Sequence, residues 1–127
     1  MFDWKKPTVQ MLGRWQPWHG GHQELFKRAY AITGQVLIMV RDVKGIGDNP
    51  FDFDEISKRI ISELKKDHFT YRKEYDIMHV PNIINISYGR DVGYTFTEHD
   101  LGKDIHQISA TNIRKQMRIE GKLANKY

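Results

Sequence analysis

The sequence predicts an α/β fold in which a five-stranded parallel sheet carries helices on both faces and residues 1–127 form a single domain. Three observations lead there. Short apolar or β-branched runs alternate with stretches whose apolar residues recur at helical spacing, in the order βαβαββ(β)α and with few hairpin signals. The run "QVLIMVRD" is nearly all apolar at its centre, as expected of a strand buried on both faces of a parallel sheet. A chain of 127 residues is long enough to bury one core without staples, and with no cysteine it has neither disulfides nor thiolate zinc ligands nor a thiol nucleophile.

Each element follows from local chemistry. Thr8 to Leu12 read as a first strand that stops at Gly13, where the backbone has freedom to turn. Leu25, Phe26, Ala29 and Ile32 recur at helical spacing behind the glycines, and Gly34 ends that helix. The second strand is the "QVLIMVRD" run. A glycine- and aspartate-rich loop, "VKGIGDNPFDFDE", precedes a second helix that Asp52 or Asp54 caps, with Ile56, Ile60 and Leu64 on one face. "YDIMHV" is a third strand stopped by Pro81, "NIINISYG" a fourth, and "DIHQI" a short fifth. A last helix starts near Ser109 and contains Ile113, Met117 and Arg118.

No repeat, low-complexity tract or linker-like break interrupts the chain, and no segment approaches the roughly 20 apolar residues of a membrane span. The expectation is a soluble, cytoplasmic protein. The net charge of +4 favours anionic partners, but 20 basic against 16 acidic residues spread along the chain suit phosphates at least as well as nucleic acid. No basic stripe interleaved with aromatics marks a nucleic-acid surface.

The chemistry concentrates in two stretches. In "GRWQPWHGGHQELF", Gly13, Gly20 and Gly21 leave backbone N–H groups at the start of a helix, a place that holds anions such as phosphate. His19 and His22 lie one turn apart, so both imidazoles can donate to the same phosphate oxygens. The alternatives are a His22 that packs within its helix, or metal ligation, for which no third ligand at matching spacing is visible. In "ISATNIR", Ser109 and Thr111 offer hydroxyls at a helix start and Arg114 a forked cation one turn in; alone, the stretch is equally an ordinary helix cap.

Together the two stretches carry a resemblance. "GRWQPWHGGH" resembles the G-[RS]-F-x-P-x-H-x-G-H signature of the nucleotidylyltransferase superfamily, with Trp15 and Trp18 in aromatic positions, and "ISATNIR" resembles its I-S-x-T-x-x-R signature. "NPFDFDEISKRI" is similar to the N-P-F-x-x-x-E-R region of archaeal-type nicotinamide mononucleotide adenylyltransferases, and "HVPN" to the strand end that follows it there. The segment before the last motif, "YGRDVGYTFTEHDLGKD", is shorter than in that family.

The resemblance implies a Rossmann-like fold and one in-line displacement, in which an acceptor phosphate attacks the α-phosphate of a nucleoside triphosphate and pyrophosphate leaves. It implies that His19 touches the triphosphate and His22 the α-phosphate. The backbone of Gly13, Arg14 and Trp15, with Gly21, then binds phosphate, and Ser109, Thr111 and Arg114 grip the leaving group. Mg²⁺ is expected through the triphosphate rather than on a protein metal site. Arg90, with Asp91, is a candidate for phosphate or base; Arg41, Asp42, Lys44 and Trp18 are candidates for the acceptor. His68, His79, His99 and His106 have no chemical context. The expected partners are a nucleoside triphosphate and a phosphorylated small molecule, without nucleic acid or membrane, in a possible homo-oligomer. ATP is favoured over CTP, which remains an alternative; a catalytically silent nucleotide-binding module is the rival from another class, and a fragment of a class I aminoacyl-tRNA synthetase is conceivable.

Overall fold

The computed structural model describes residues 1–90, 93–101 and 110–121, the last group with side chains from Ile113 onward. Strands β1 (Val9–Gly13), β2 (Val36–Arg41) and β3 (Tyr75–Val80) form a parallel sheet in the order β1-β2-β3. Helix α1 (Gly20–Thr33) joins β1 to β2, α2 (Phe53–Lys66) joins β2 to β3, and α3 (Ala110–Ile119) closes the described chain. This is a Rossmann-like α/β arrangement. No described helix is long and apolar enough to cross a membrane.

The register aligns Val9, Val36 and Tyr75, then Met11, Ile38 and Ile77, so one face of the sheet presents a block of apolar side chains. Phe26 and Ala29 of α1 and Ile56, Ile60 and Leu64 of α2 pack against that same block. Both helices therefore cover one face. The physical reason is the strand order: two successive right-handed crossovers that advance in the same direction leave their helices on the same side. Reversal of that direction, which would load the other face, does not occur among the described strands. Accordingly the run of β2 alternates, with Val36, Ile38 and Val40 buried and Leu37, Met39 and Arg41 only half-buried.

The expected five strands are corrected to three among the described residues. Residues 82–89, read as a fourth strand, form none: the Ile83 N–H bonds back to the Pro81 carbonyl at 2.7 Å, a tight γ-type turn that swings the chain away from β3, and Ile84 is 86% exposed. The proposed fifth strand, 104–108, lies outside the described residues.

Helix ends follow their sequence signals. Asp52, rather than Asp54, caps α2: its carboxylate accepts from the Glu55 N–H at 2.9 Å while Glu55 accepts from the Asp52 N–H at 3.3 Å. Gly34 ends α1 in the left-handed region at φ 76. The α1 stripe is narrower than expected, since Phe26 and Ala29 are buried, Leu25 partly so, and Ile32 is exposed.

Candidate phosphate-binding site

The site starts where β1 ends. After Gly13 the chain enters a left-handed turn at Trp15, φ 51, which folds the indole back over Gly13. A Cβ on Gly13 would meet three Trp15 ring atoms at 2.7 to 2.9 Å, so the glycine is required by close approach of the ring. Trp15 Nε1 donates to the Met39 carbonyl at 3.1 Å, which ties the loop to β2. Trp18 is 0% exposed and donates through Nε1 to Gln23 Oε1 at 2.8 Å. Its ring offers no face to an acceptor; both tryptophans, 5.2 Å apart, pack behind the loop and form the floor under His22.

The histidines are held by backbone donors. His19 is the N-cap of α1, and its Nδ1 accepts from the Gly21 N–H at 3.0 Å. His22 reaches back, its Nδ1 accepting from the His19 N–H at 3.2 Å. With both Nδ1 atoms used as acceptors, each neutral ring carries its proton on Nε2, where it is a donor. The rings stack at 3.7 Å with 18° between planes. Burial, then the neighbouring His19, push the His22 imidazolium down from 6.5 to about 3. His19 is lowered too, by burial first and then by the charge of Arg59. The pair is thus a set of neutral hydrogen-bond donors at the positive end of a helix.

Two residues that sequence reasoning missed fix this loop. Gln16 forms a two-way amide clamp with Phe51, its Nε2 donating to the Phe51 carbonyl and its Oε1 accepting from the Phe51 N–H, both at 3.0 Å. The Arg59 Nε donates to the Trp18 carbonyl at 2.7 Å and brings a cation beside His19. A sequence offers only a faint signal for either: a buried amide between Trp15 and Pro17, and a basic residue on the polar side of α2.

Arg114 is where the two ends of the chain meet. Its Nη1 donates to the Gln16 carbonyl, and its Nε pairs with Asp48 Oδ2 at 3.0 Å. Asp48 also takes Arg118 Nη2 at 2.6 Å, so one carboxylate docks α3 onto the loop between β2 and α2. The Arg118 hydrogen bond, together with Arg114 and against the opposing effect of burial, holds the Asp48 carboxyl down at about 2. Asp48 is the third residue the sequence did not single out; an aspartate in a glycine loop looks like a turn residue until α3 is placed against it.

The remaining candidates are scattered. Arg14 is exposed beside Trp15. Arg41 ends β2 with Nη2 on Asn82 Oδ1 at 2.8 Å. Asp42 is exposed and faces His79 Nε2 at 3.4 Å, and Lys44 lies 3.8 Å from the capping Asp52. Arg90 is exposed. Ser109, Asp91 and His106 lie outside the described residues, as does the side chain of Thr111. Among the described residues no three His, Asp or Glu side chains converge as a metal site.

A Rossmann-like sheet whose first strand runs into a histidine-capped helix, with an arginine returning from a distant helix, makes this loop a candidate site for an anion. The chain matches no protein-family model. It is 35% identical over 63 residues to a nicotinamide-nucleotide adenylyltransferase of Methanococcus aeolicus, a stretch covering 48% of this chain and 37% of that protein. The match thus spans little more than a third of the relative's length, and it supports a nucleotidylyltransferase-like relationship.

Proposed function

We propose that the protein is a nucleotidylyltransferase that moves a nucleoside monophosphate, AMP in the first instance, from a nucleoside triphosphate to a phosphorylated small molecule. The observation that carries this is the meeting of Arg114 with the Gln16 carbonyl, which joins the two sequence motifs at one loop beside the stacked His19 and His22. Likeness to a protein named as an adenylyltransferase supports adenine over cytosine as the base in this proposal.

In the proposed reaction an oxygen of the acceptor phosphate forms a bond to the α-phosphorus while the bond to the bridging oxygen of the β-phosphate breaks. Pyrophosphate carries away that electron pair, and no enzyme-bound intermediate forms. Charge gathers on phosphoryl oxygens, so positioned donors matter more than acids or bases. His22 Nε2–H serves the α-phosphate and His19 Nε2–H the triphosphate. The amides of Gly13 to Trp15 and of Gly21 hold phosphate, while Ser109, Thr111 and Arg114 bind the leaving group and Arg90, in the segment after β3, is the candidate for phosphate or base. One such donor is typically worth about 3 to 4 kcal/mol of barrier. Because burial keeps the His22 imidazole neutral well below pH 6, it keeps its donor proton without having to titrate.

Mg²⁺ belongs to this scheme as part of the nucleotide substrate. Asp48, the carboxylate nearest the loop's arginine, is already engaged by two guanidinium groups and is a poor ligand for an ion.

The experiment is calorimetric titration with ATP and with CTP, each with Mg²⁺, on the wild type, Arg114→Ala and His22→Ala, followed by pyrophosphate release with phosphorylated acceptors. ATP is expected to bind better than CTP, Arg114→Ala to weaken it at least tenfold, and His22→Ala to bind yet lose turnover. Absence of binding of either nucleotide to the wild type overturns the proposal. Binding without pyrophosphate release across an acceptor panel favours a silent nucleotide-binding module.

A further inference from the structure

Trp18, part of the floor under His22 with ring centroids 5.6 Å apart, is tied to α2 at two points. Its carbonyl accepts directly from the Arg59 Nε at 2.7 Å, and its indole N–H donates to Gln23 Oε1 at 2.8 Å. Gln23 carries the second tie to the far end of α2, where its Nε2 donates to the Glu63 carbonyl at 2.7 Å and to Asp67 Oδ2 at 2.9 Å. One side-chain amide thus links α1, α2 and the loop after β1.

Every partner in this link has a reason to need it. The indole N–H of a fully buried tryptophan requires an acceptor, because a buried donor without one is costly. The Asp67 N–H, which would continue the α2 ladder to the Glu63 carbonyl, bonds instead to the Leu64 carbonyl at 3.1 Å, and the Glu63 carbonyl accepts from Gln23. Asp67 Oδ2 also pairs with Lys27 Nζ at 3.0 Å, which fixes the carboxylate that Gln23 grips. A glutamine amide supplies the acceptor and the donors together.

Gln23 follows His22 directly and lies just outside the signature stretch, which ends at His22. Neighbouring helical positions point about 100° apart, so the Gln23 side chain runs to α2 while the His22 ring turns back to the His19 N–H. Its influence on His22 therefore passes through the Trp18 ring. Resting on the transferase function above, we infer that Gln23 is a positioning residue for the reaction: it fixes the Trp18 indole, and the indole fixes where the His22 Nε2–H meets the α-phosphate.

The test is a double-mutant cycle of Gln23→Leu and Trp18→Phe, which removes the acceptor, the indole donor, or both. Each protein is assayed for ATP binding by calorimetry with Mg²⁺, for pyrophosphate release with nicotinamide mononucleotide as the acceptor probe, and for the NMR titration of the His22 ring. Gln23→Leu is expected to bind ATP within about twofold of the wild type and to lose about tenfold or more in kcat. Its His22 titration should rise by about one pH unit or more as water reaches the ring. Trp18→Phe should lose turnover by itself, and adding Gln23→Leu should then cost less than about a further twofold. A Gln23→Leu protein with wild-type kcat and His22 titration overturns the inference, as does an equal loss in both backgrounds, the mark of a general structural role. If Gln23→Leu does not fold, Trp18→Phe alone decides: unchanged kcat and His22 titration overturn the inference. Because the titration needs no turnover, absence of pyrophosphate release from the wild type counts against the transferase function, and an unmoved His22 titration counts against Gln23.

Discussion

The depressed basicity of His22 has a measurable consequence for stability. In the folded protein its imidazolium forms only near pH 3, whereas in the unfolded chain it forms near 6.5. Above pH 6.5 both states are neutral and the group is silent. As the pH falls below 6.5 the unfolded chain takes up a proton that the native state refuses, so the native state loses about 1.4 kcal/mol per pH unit until about pH 3. Between pH 7 and pH 5 the loss from this one residue is about 2 kcal/mol. His22→Asn keeps an acceptor for the His19 N–H and does not titrate. Denaturant unfolding of both proteins at pH 7 and pH 5 isolates the effect: the wild type should lose about 2 kcal/mol more than the variant over that interval. Parallel pH dependence in the two proteins would refute the placement of His22 against Trp15, Trp18 and His19. The same chemistry predicts that a donor role for His22 needs no titration of its own, because its proton-bearing Nε2 is unchanged across the range where ordinary histidines charge.

Two other substitutions test how the site is held. Asp48→Asn removes the carboxylate that pairs with the nearly buried Arg114 and should cost about 3 kcal/mol in thermal or denaturant unfolding, with nucleotide affinity falling alongside as α3 loosens. The Asp48 carboxyl is depressed, so its contribution is complete above about pH 4 and lost as the pH falls through about 2; the wild-type advantage over the variant should therefore be flat from pH 5 to 8. A variant as stable as the wild type would show that α3 is docked by other contacts. Gly13→Ala drives a methyl group into the Trp15 ring and should destabilise by about 1 to 3 kcal/mol, a penalty that a Trp15→Ala background removes. An equal penalty in both backgrounds would mean that the ring is not what the glycine accommodates.

Much of the fold is written in local patterns. The three strands and the helices α1 and α2 lie where apolar periodicity put them, because those patterns reflect burial that every copy of such an element must achieve. The caps at Asp52 and Gly34 follow from single residues with strong conformational preferences. Residues 82–89 misled for the same reason: "NIINIS" has strand-like composition, but β pairing needs a partner edge, and the turn at Pro81 to Ile83 directs the chain away from β3. Strand order, which the pattern does not contain, decided that α1 and α2 share a face, because it sets the side on which each crossover lies.

The same division runs through the candidate site. By itself the sequence determined the histidine-and-glycine loop at the end of β1, a feature confined to ten consecutive residues and therefore visible without any knowledge of packing. Only the tertiary structure decided that the two tryptophans are buried behind that loop, that Gln16 clamps it to Phe51, and that Asp48 brings Arg114 to the Gln16 carbonyl. Those relations join residues 24 to 98 positions apart. Their energy comes from desolvation and directed hydrogen bonds that exist once the sheet has brought distant segments together, and no local pattern encodes them.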